Sequence, residues 1–134
     1  MIIDYRVIPH REQRYETLGD YWWDGQTLHI RVSHLKDPRH EYLIFVHEVV
    51  EATMVRCEGG PDESTEFDRP YEAARLAQIK APCGCLPSAE SEPGDDVHAP
   101  YYTEHGVATV VENVVAFALD VRPEDYDVGV KEPL

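Results

Sequence analysis

The chain has 134 residues, 43% of them hydrophobic, which is enough for one compact domain and too few for two that fold independently. Its 26 acidic and 12 basic residues give a formal charge of −14, which argues against a surface built to grip nucleic acid, since that needs clustered Lys and Arg. The charge is uneven: residues 81–134 carry 11 acids and 2 bases, against 15 and 10 before them.

The opening Met1-Ile2-Ile3-Asp4-Tyr5-Arg6 places an acid where an export signal would place bases. The longest purely apolar run, Val114 to Leu119, is six residues, against the roughly 20 needed to cross a bilayer. Three cysteines, an odd number, fit reduced thiols better than a disulfide framework. The expectation is a cytoplasmic protein that does not span a membrane.

In chain order, Ile3, Tyr5 and Val7 alternate with Asp4 and Arg6 before Pro9, which predicts a first strand. Asp24-Gly25 lies between two β-prone runs and predicts a hairpin, with Leu28, Ile30 and Val32 on one face and His29 and Arg31 on the other. These residues, 1–35, are expected to form a small antiparallel sheet of about three strands. Asp37-Pro38 then reads as a helix cap and first helical residue. The helix should continue through the dense apolar stretch from Tyr42 to Val55 and stop at Gly59-Gly60-Pro61. Its β-branched content makes a strand over Leu43 to Val46 an alternative, but a segment of about 18 residues is long for a strand.

A second helix is expected from Phe67 to Ile79, packing Ala73, Ala74, Leu76 and Ala77 inward. Residues 81–100 hold four prolines, two glycines and four acids, a loop composition. About 20 irregular residues within one compact domain is unusual unless they serve a function or move. A third helix should run from about Thr103 to Leu119, ending before Pro123, with a tail behind it. The whole is an α+β fold of one domain, residues 1–134, with the sheet on about three helices.

The residues that carry chemistry are His47-Glu48-Val49-Val50-Glu51, within the most hydrophobic helix. On a helical wheel Glu51 falls about 40° and Glu48 about 100° from His47, among Ile44 and Val55. Burying two uncompensated carboxylates costs several kcal/mol or forces protonation. A divalent cation compensates them, and the i, i+4 spacing of His47 and Glu51 lets one helix offer both to one ion. In that scheme His47 and Glu51 are ligands and Glu48 is a general base.

His105, on the third helix, is the candidate third ligand. Glu112 lies two turns beyond it on the face bearing Ala108, Thr109, Ala116 and Leu119, and is placed to orient a ligand or bind the ion. Asp68 is another candidate ligand or orienter, and His98 a weaker one. The plain structural reading is a buried ion network of His and carboxylates that fixes helix packing without metal. His10, His29, His34 and His40 read as surface or strand-edge residues, and Tyr21-Trp22-Trp23 as sheet packing. Cys83-Gly84-Cys85 has no second cysteine pair, and the acidic run Glu90 to Asp96 reads as a solvated loop.

Taken together, Leu43-Ile44-Phe45-Val46-His47-Glu48-Val49-Val50-Glu51-Ala52, Phe67-Asp68, Glu92-Pro93-Gly94-Asp95, Ala99-Pro100-Tyr101 and His105-x-x-Ala108-x-x-x-Glu112 resemble a group of small phage and prophage proteins. That group is similar to minimal zincin-like metallopeptidases with a variant H-E-x-x-E motif. The resemblance spans about residues 40–127. It implies a zincin-like core: a short antiparallel sheet, an active-site helix with His47, Glu48 and Glu51, a later helix delivering His105, and zinc or another divalent metal as cofactor. Glu51 departs from the usual His of such peptidases and lowers the Lewis acidity of the metal.

The expected function is therefore a zinc hydrolase of peptidase or amidase type with a protein or peptide substrate. The alternatives are a non-catalytic interaction or structural protein and, less favoured, an acidic mimic of nucleic acid.

Overall fold

The computed structural model describes residues 1–134. Three strands, β1 (Ile2–Ile8), β2 (Gly19–Asp24) and β3 (Thr27–Ser33), form one sheet, and four helices follow: α1 (Pro38–Cys57), α2 (Thr65–Ala77), α3 (Tyr102–Ala118) and α4 (Pro123–Gly129). The fold is α+β, with a mixed rather than antiparallel sheet. β2 and β3 form the expected hairpin, turning at Gly25 (φ +57°) and Gln26. β1, however, pairs parallel to β3 across the register Ile3–Leu28, Tyr5–Ile30 and Val7–Val32, giving the order β1-β3-β2. Residues 9–18 carry the chain from one edge of the sheet to the other, and β3 then returns between the two edges.

The core forms where the sheet meets α1. Leu28, Ile30 and Val32 are fully buried and cluster with Tyr21 and Trp23 of β2, Leu35, and Ile44 and Ala52 of α1. Each such aliphatic side chain contributes about 1.5–3 kcal/mol by leaving water. On the opposite face, Arg31 and His29 converge on Asp4 at 2.6 and 2.9 Å. Trp22 stacks on His29 with ring centroids 5.0 Å apart, beneath the Arg14 guanidinium. Arg14 in turn makes a two-bond pair with the buried Asp20 at 2.6 and 2.9 Å. Tyr21 and Trp23 thus pack the core as expected, while Trp22 faces away from it.

α1 starts as its sequence dictates: the Asp37 carboxylate accepts from the Arg39 N–H at 2.9 Å, and Pro38 takes the first helical position. It ends where Gly59 enters the left-handed region (φ +74°) and the Gly60 N–H returns to the Val55 carbonyl. α1 is sandwiched, one side on the sheet and the other on α3. The approach of α3 is permitted by Ala108, which is fully buried.

Several expectations need correction. α2 begins at Thr65, two residues earlier than predicted, and buries Tyr71 and Ala74, leaving Ala73, Leu76 and Ala77 exposed. Residues 81–100 contain one short 3-10 turn, Pro93–Asp95. The tail forms α4, whose Tyr126 packs on His40 with ring centroids 5.2 Å apart. His40 is buried by that contact rather than lying at the surface. No helix is long and apolar enough to cross a membrane.

Candidate metal centre

His47 and Glu51 project from the middle of α1 toward α3, one helical turn apart, and His105 meets them from the first turns of α3. The three side chains bring His47 Nε2, Glu51 Oε2 and His105 Nδ1 into a triangle with edges of 3.3, 3.0 and 3.1 Å. All three residues are buried, at 8%, 4% and 7% exposure. The imidazoles meet edge to face, with centroids 4.6 Å apart.

Proton counting makes this triangle informative. Each nitrogen presents either one N–H or one lone pair toward the centre, and the carboxylate presents lone pairs alone. Protons on both nitrogens satisfy Glu51 but set two N–H groups against each other. One proton leaves a side of the triangle with no donor. With both inward nitrogens unprotonated, the three groups could hold a cation, and zinc accepts such mixed nitrogen and oxygen donors.

The outer ring nitrogens are also provided for. His47 Nδ1 is 3.2 Å from Glu112 Oε2, which can accept its N–H and so direct Nε2 inward. His105 Nε2 lies 3.5 Å from Glu92 and 3.4 Å from Asp95, on the loop before α3. The loop comes this close because residue 94 is glycine: a Cβ there would lie 2.3 Å from His105 Cγ.

The surrounding carboxylates dominate the electrostatics. Burial pulls the His47 pKa down, but hydrogen bonds to Glu112 and Glu51 outweigh it and raise the value to about 11. His105 follows the same balance, burial against Glu51 and Glu92, and rises to about 10. Burial works to raise the Glu51 pKa, yet the bonds to both histidines hold it below the usual carboxylate range. The carboxylates around the two imidazoles thus favour positive charge on the rings.

Glu48 lies beside this group and lines the same cleft, of about 710 Å³, between the sheet, α1, α3 and α4. Burial and the neighbouring Glu51 charge push its carboxyl well above the ordinary value. Its position depends on Gly19 at the start of β2, where a Cβ would fall 2.4 Å from Glu48 Oε1. The cleft is itself acidic: Glu16, Glu72, Glu90 and Asp127 line it too. Its two lining bases are already engaged, Arg75 with Glu72 and Lys131 with Glu90.

Asp68 is not one of the three converging groups. Its carboxylate accepts from Tyr15 at 2.8 Å, from Ser64 at 2.7 Å, and from the Tyr101 hydroxyl. Burial raises its pKa to about 6 despite these bonds. Asp68 therefore supports the centre through Tyr101, whose ring meets that of His105 at a centroid distance of 6.4 Å. His98 also lies outside the triangle, bonded to Asp96 at 2.8 Å.

Sequence reasoning missed Glu92 and Asp95 as neighbours of His105, having read their acidic run as a solvated loop. The available signal was Pro93-Gly94 set between two acids in an unusually long irregular segment. No protein-family model matches the chain, and no curated protein or solved structure matches it.

Proposed function

We propose that the α1–α3 centre holds a divalent cation of the zinc class and that the protein is a metal-dependent hydrolase of an amide or peptide bond. The observation that carries this reading is the buried triangle of His47, Glu51 and His105, with Glu48 in the same cleft. A cation bound there supplies the positive charge that makes water a usable nucleophile near neutral pH.

His47, Glu51 and His105 hold the cation, and Glu112 keeps the Nδ1 proton of His47 pointed outward. Glu48 accepts a proton from the attacking water as its oxygen adds to the carbonyl carbon, then passes that proton to the departing amine nitrogen as the C–N bond breaks. A raised pKa suits this carboxyl to the second transfer. The acidic cleft repels phosphate esters and favours neutral or basic peptide segments. Three free thiols support a reducing, cytoplasmic setting.

A second reading, a structural centre in a protein that binds another protein, is supported by an exposed apolar stripe on α3 formed by Val110, Val114 and Phe117, the last 89% exposed. The acidic-mimic reading loses support because Glu48, Glu51 and Glu112 turn inward instead of covering an outer face.

The test is metal content by plasma mass spectrometry on protein purified without chelator, followed by a peptide hydrolysis screen. His47→Ala and His105→Ala should each lose one equivalent per chain relative to wild type. Glu48→Gln should keep that equivalent and lose turnover by at least about 100-fold. Metal content unchanged by both histidine substitutions would sink the metal centre. Turnover retained in Glu48→Gln would sink its role as base.

A further inference from the structure

A second cluster lies in the 81–100 segment, apart from the α1–α3 centre. Ala81 opens a tight turn in which the Gly84 N–H returns to the Ala81 carbonyl and the Ala81 N–H reaches the Cys85 carbonyl, both at 2.8 Å. Gly84 sits at φ +95°, a conformation that side-chain-bearing residues rarely adopt. The turn throws the Cys83 and Cys85 thiols to the same side, with Sγ atoms 3.0 Å apart. Both thiols converge on one oxygen of Asp96, Cys83 at 3.2 Å and Cys85 at 2.7 Å. The other Asp96 oxygen receives the backbone N–H of His98 and faces its ring Nδ1, each at 2.8 Å.

The Asp96 side chain is only 7% exposed, and its one ion-pair partner is the exposed His98. One of its oxygens is met by the two thiols alone, both of them weak donors. The two sulfurs stand 3.0 Å apart as free thiols.

We propose that Cys83, Cys85 and Asp96 form a second metal site, selective for a thiophilic divalent cation of the zinc class, with His98 or water completing four-coordination. Two thiolates and a carboxylate match zinc rather than magnesium or calcium, which prefer all-oxygen shells. With Zn–S near 2.3 Å and Zn–O near 2.1 Å, the ligand atoms of a tetrahedral site stand about 3.5–3.8 Å apart. The three groups therefore need to open by less than about 1 Å around the ion.

The site ties the start of the segment, at Cys83 and Cys85, to its end, at Asp96. Between these points lie Glu92, Gly94 and Asp95, the residues that face His105. The second cation is thus a structural clasp that holds the outer wall of the α1–α3 centre. The inference does not depend on the α1–α3 centre binding metal.

The experiment titrates the full-length protein, reduced and metal-free, with Co2+ and follows the near-ultraviolet thiolate-to-cobalt charge-transfer band. Only a thiolate site produces it, so the histidine centre is silent in this readout. His47→Ala, with the α1–α3 centre disabled, should show a band that saturates at one equivalent, wild type should show the same band saturating at no more than two equivalents, and added Zn2+ should abolish both. Cys83→Ser and Cys85→Ser should lack it, and Asp96→Asn should keep it with at least about tenfold weaker Co2+ binding.

A measurement on wild type alone avoids any folding defect of the variants. One equivalent of bound Zn2+ at the thiols should protect two of the three cysteines from a disulfide-exchange reagent, leaving Cys57, exposed at the end of α1, reactive. The absence of a band in wild type, a band surviving in Cys83→Ser, or equal reactivity of all three thiols in the presence of Zn2+ would each overturn the proposal.

Discussion

The two nitrogens of His105 face two differently built regions. Nδ1 meets His47 and Glu51, both buried and both carried on α1, at 3.1 and 3.0 Å. Nε2 meets Glu92 and Asp95, 65% and 61% exposed and carried on a loop, at 3.5 and 3.4 Å. On the first side the helix backbone sets the positions of both side chains, and α1 itself is fixed by the core beneath Ile44 and Ala52. On the second side the carboxylates depend on a turn through Gly94 and on whatever anchors the segment ends. A single imidazole thus joins a preorganised region to an adjustable one, and substitutions on its two sides should differ in kind.

The largest effect should come from Glu51→Ala. It removes the only carboxylate between the two histidines, and apparent zinc affinity at the α1–α3 centre should fall by at least about 100-fold, the upper end of what a lost supporting contact costs. Competition against a chromophoric chelator measures this, and a loss of tenfold or less would mean the helix side is not the ligand side.

Gly94→Ala attacks the other region. The new Cβ would fall 2.3 Å from His105 Cγ, so the loop must retreat while α1 and α3 keep their packing. The expected result is about 1–3 kcal/mol of destabilisation, faster proteolysis within residues 81–100, and zinc affinity within about tenfold of wild type. A loss of zinc as severe as that of Glu51→Ala would break the distinction between the two sides.

A pH series sharpens it. In the metal-free fold, His47 and His105 have pKa values raised to about 11 and about 10 from 6.5. Their protonated forms therefore stabilise the fold fully below pH 6.5, and that contribution is lost as pH rises toward 10 and 11. A cation must displace these inward protons, so its apparent affinity should climb about 10- to 100-fold per pH unit between pH 6 and 8. Calorimetric titration in buffers of different ionisation enthalpy counts the protons released, and a flat profile would contradict the arrangement.

The smallest effects belong to Glu92→Gln and Asp95→Asn. Each removes one exposed, screened carboxylate and should weaken zinc binding by about tenfold or less, with the difference shrinking at high salt.

The sequence was most informative where chemistry repeats with the helical period. Asp37-Pro38 announced α1, the spacing of His47 and Glu51 placed both on one face, and Ala108 and Glu112 marked the side of α3 that carries His105. The alternation of Leu28, Ile30 and Val32 likewise identified the sheet face that became core. Each of these depends on a few neighbouring residues and the geometry of a single element, which a sequence carries in full.

The pairing of β1 had no such signature, because alternation shows which way side chains point and not which strand lies alongside or in what direction. α4 was hidden for a related reason: it has only seven residues and one large inward ring, Tyr126, so its periodicity is too short to read. Glu92, Asp95 and Asp96 stand in an acidic, proline-rich run with no period, and only the path of the folded loop distinguishes carboxylates aimed at His105 or the thiols from solvated ones. What the sequence determined alone was the local face of α1, α3 and β3. The tertiary structure decided which faces meet, because bringing α1 and α3 together depends on packing between residues more than 40 positions apart.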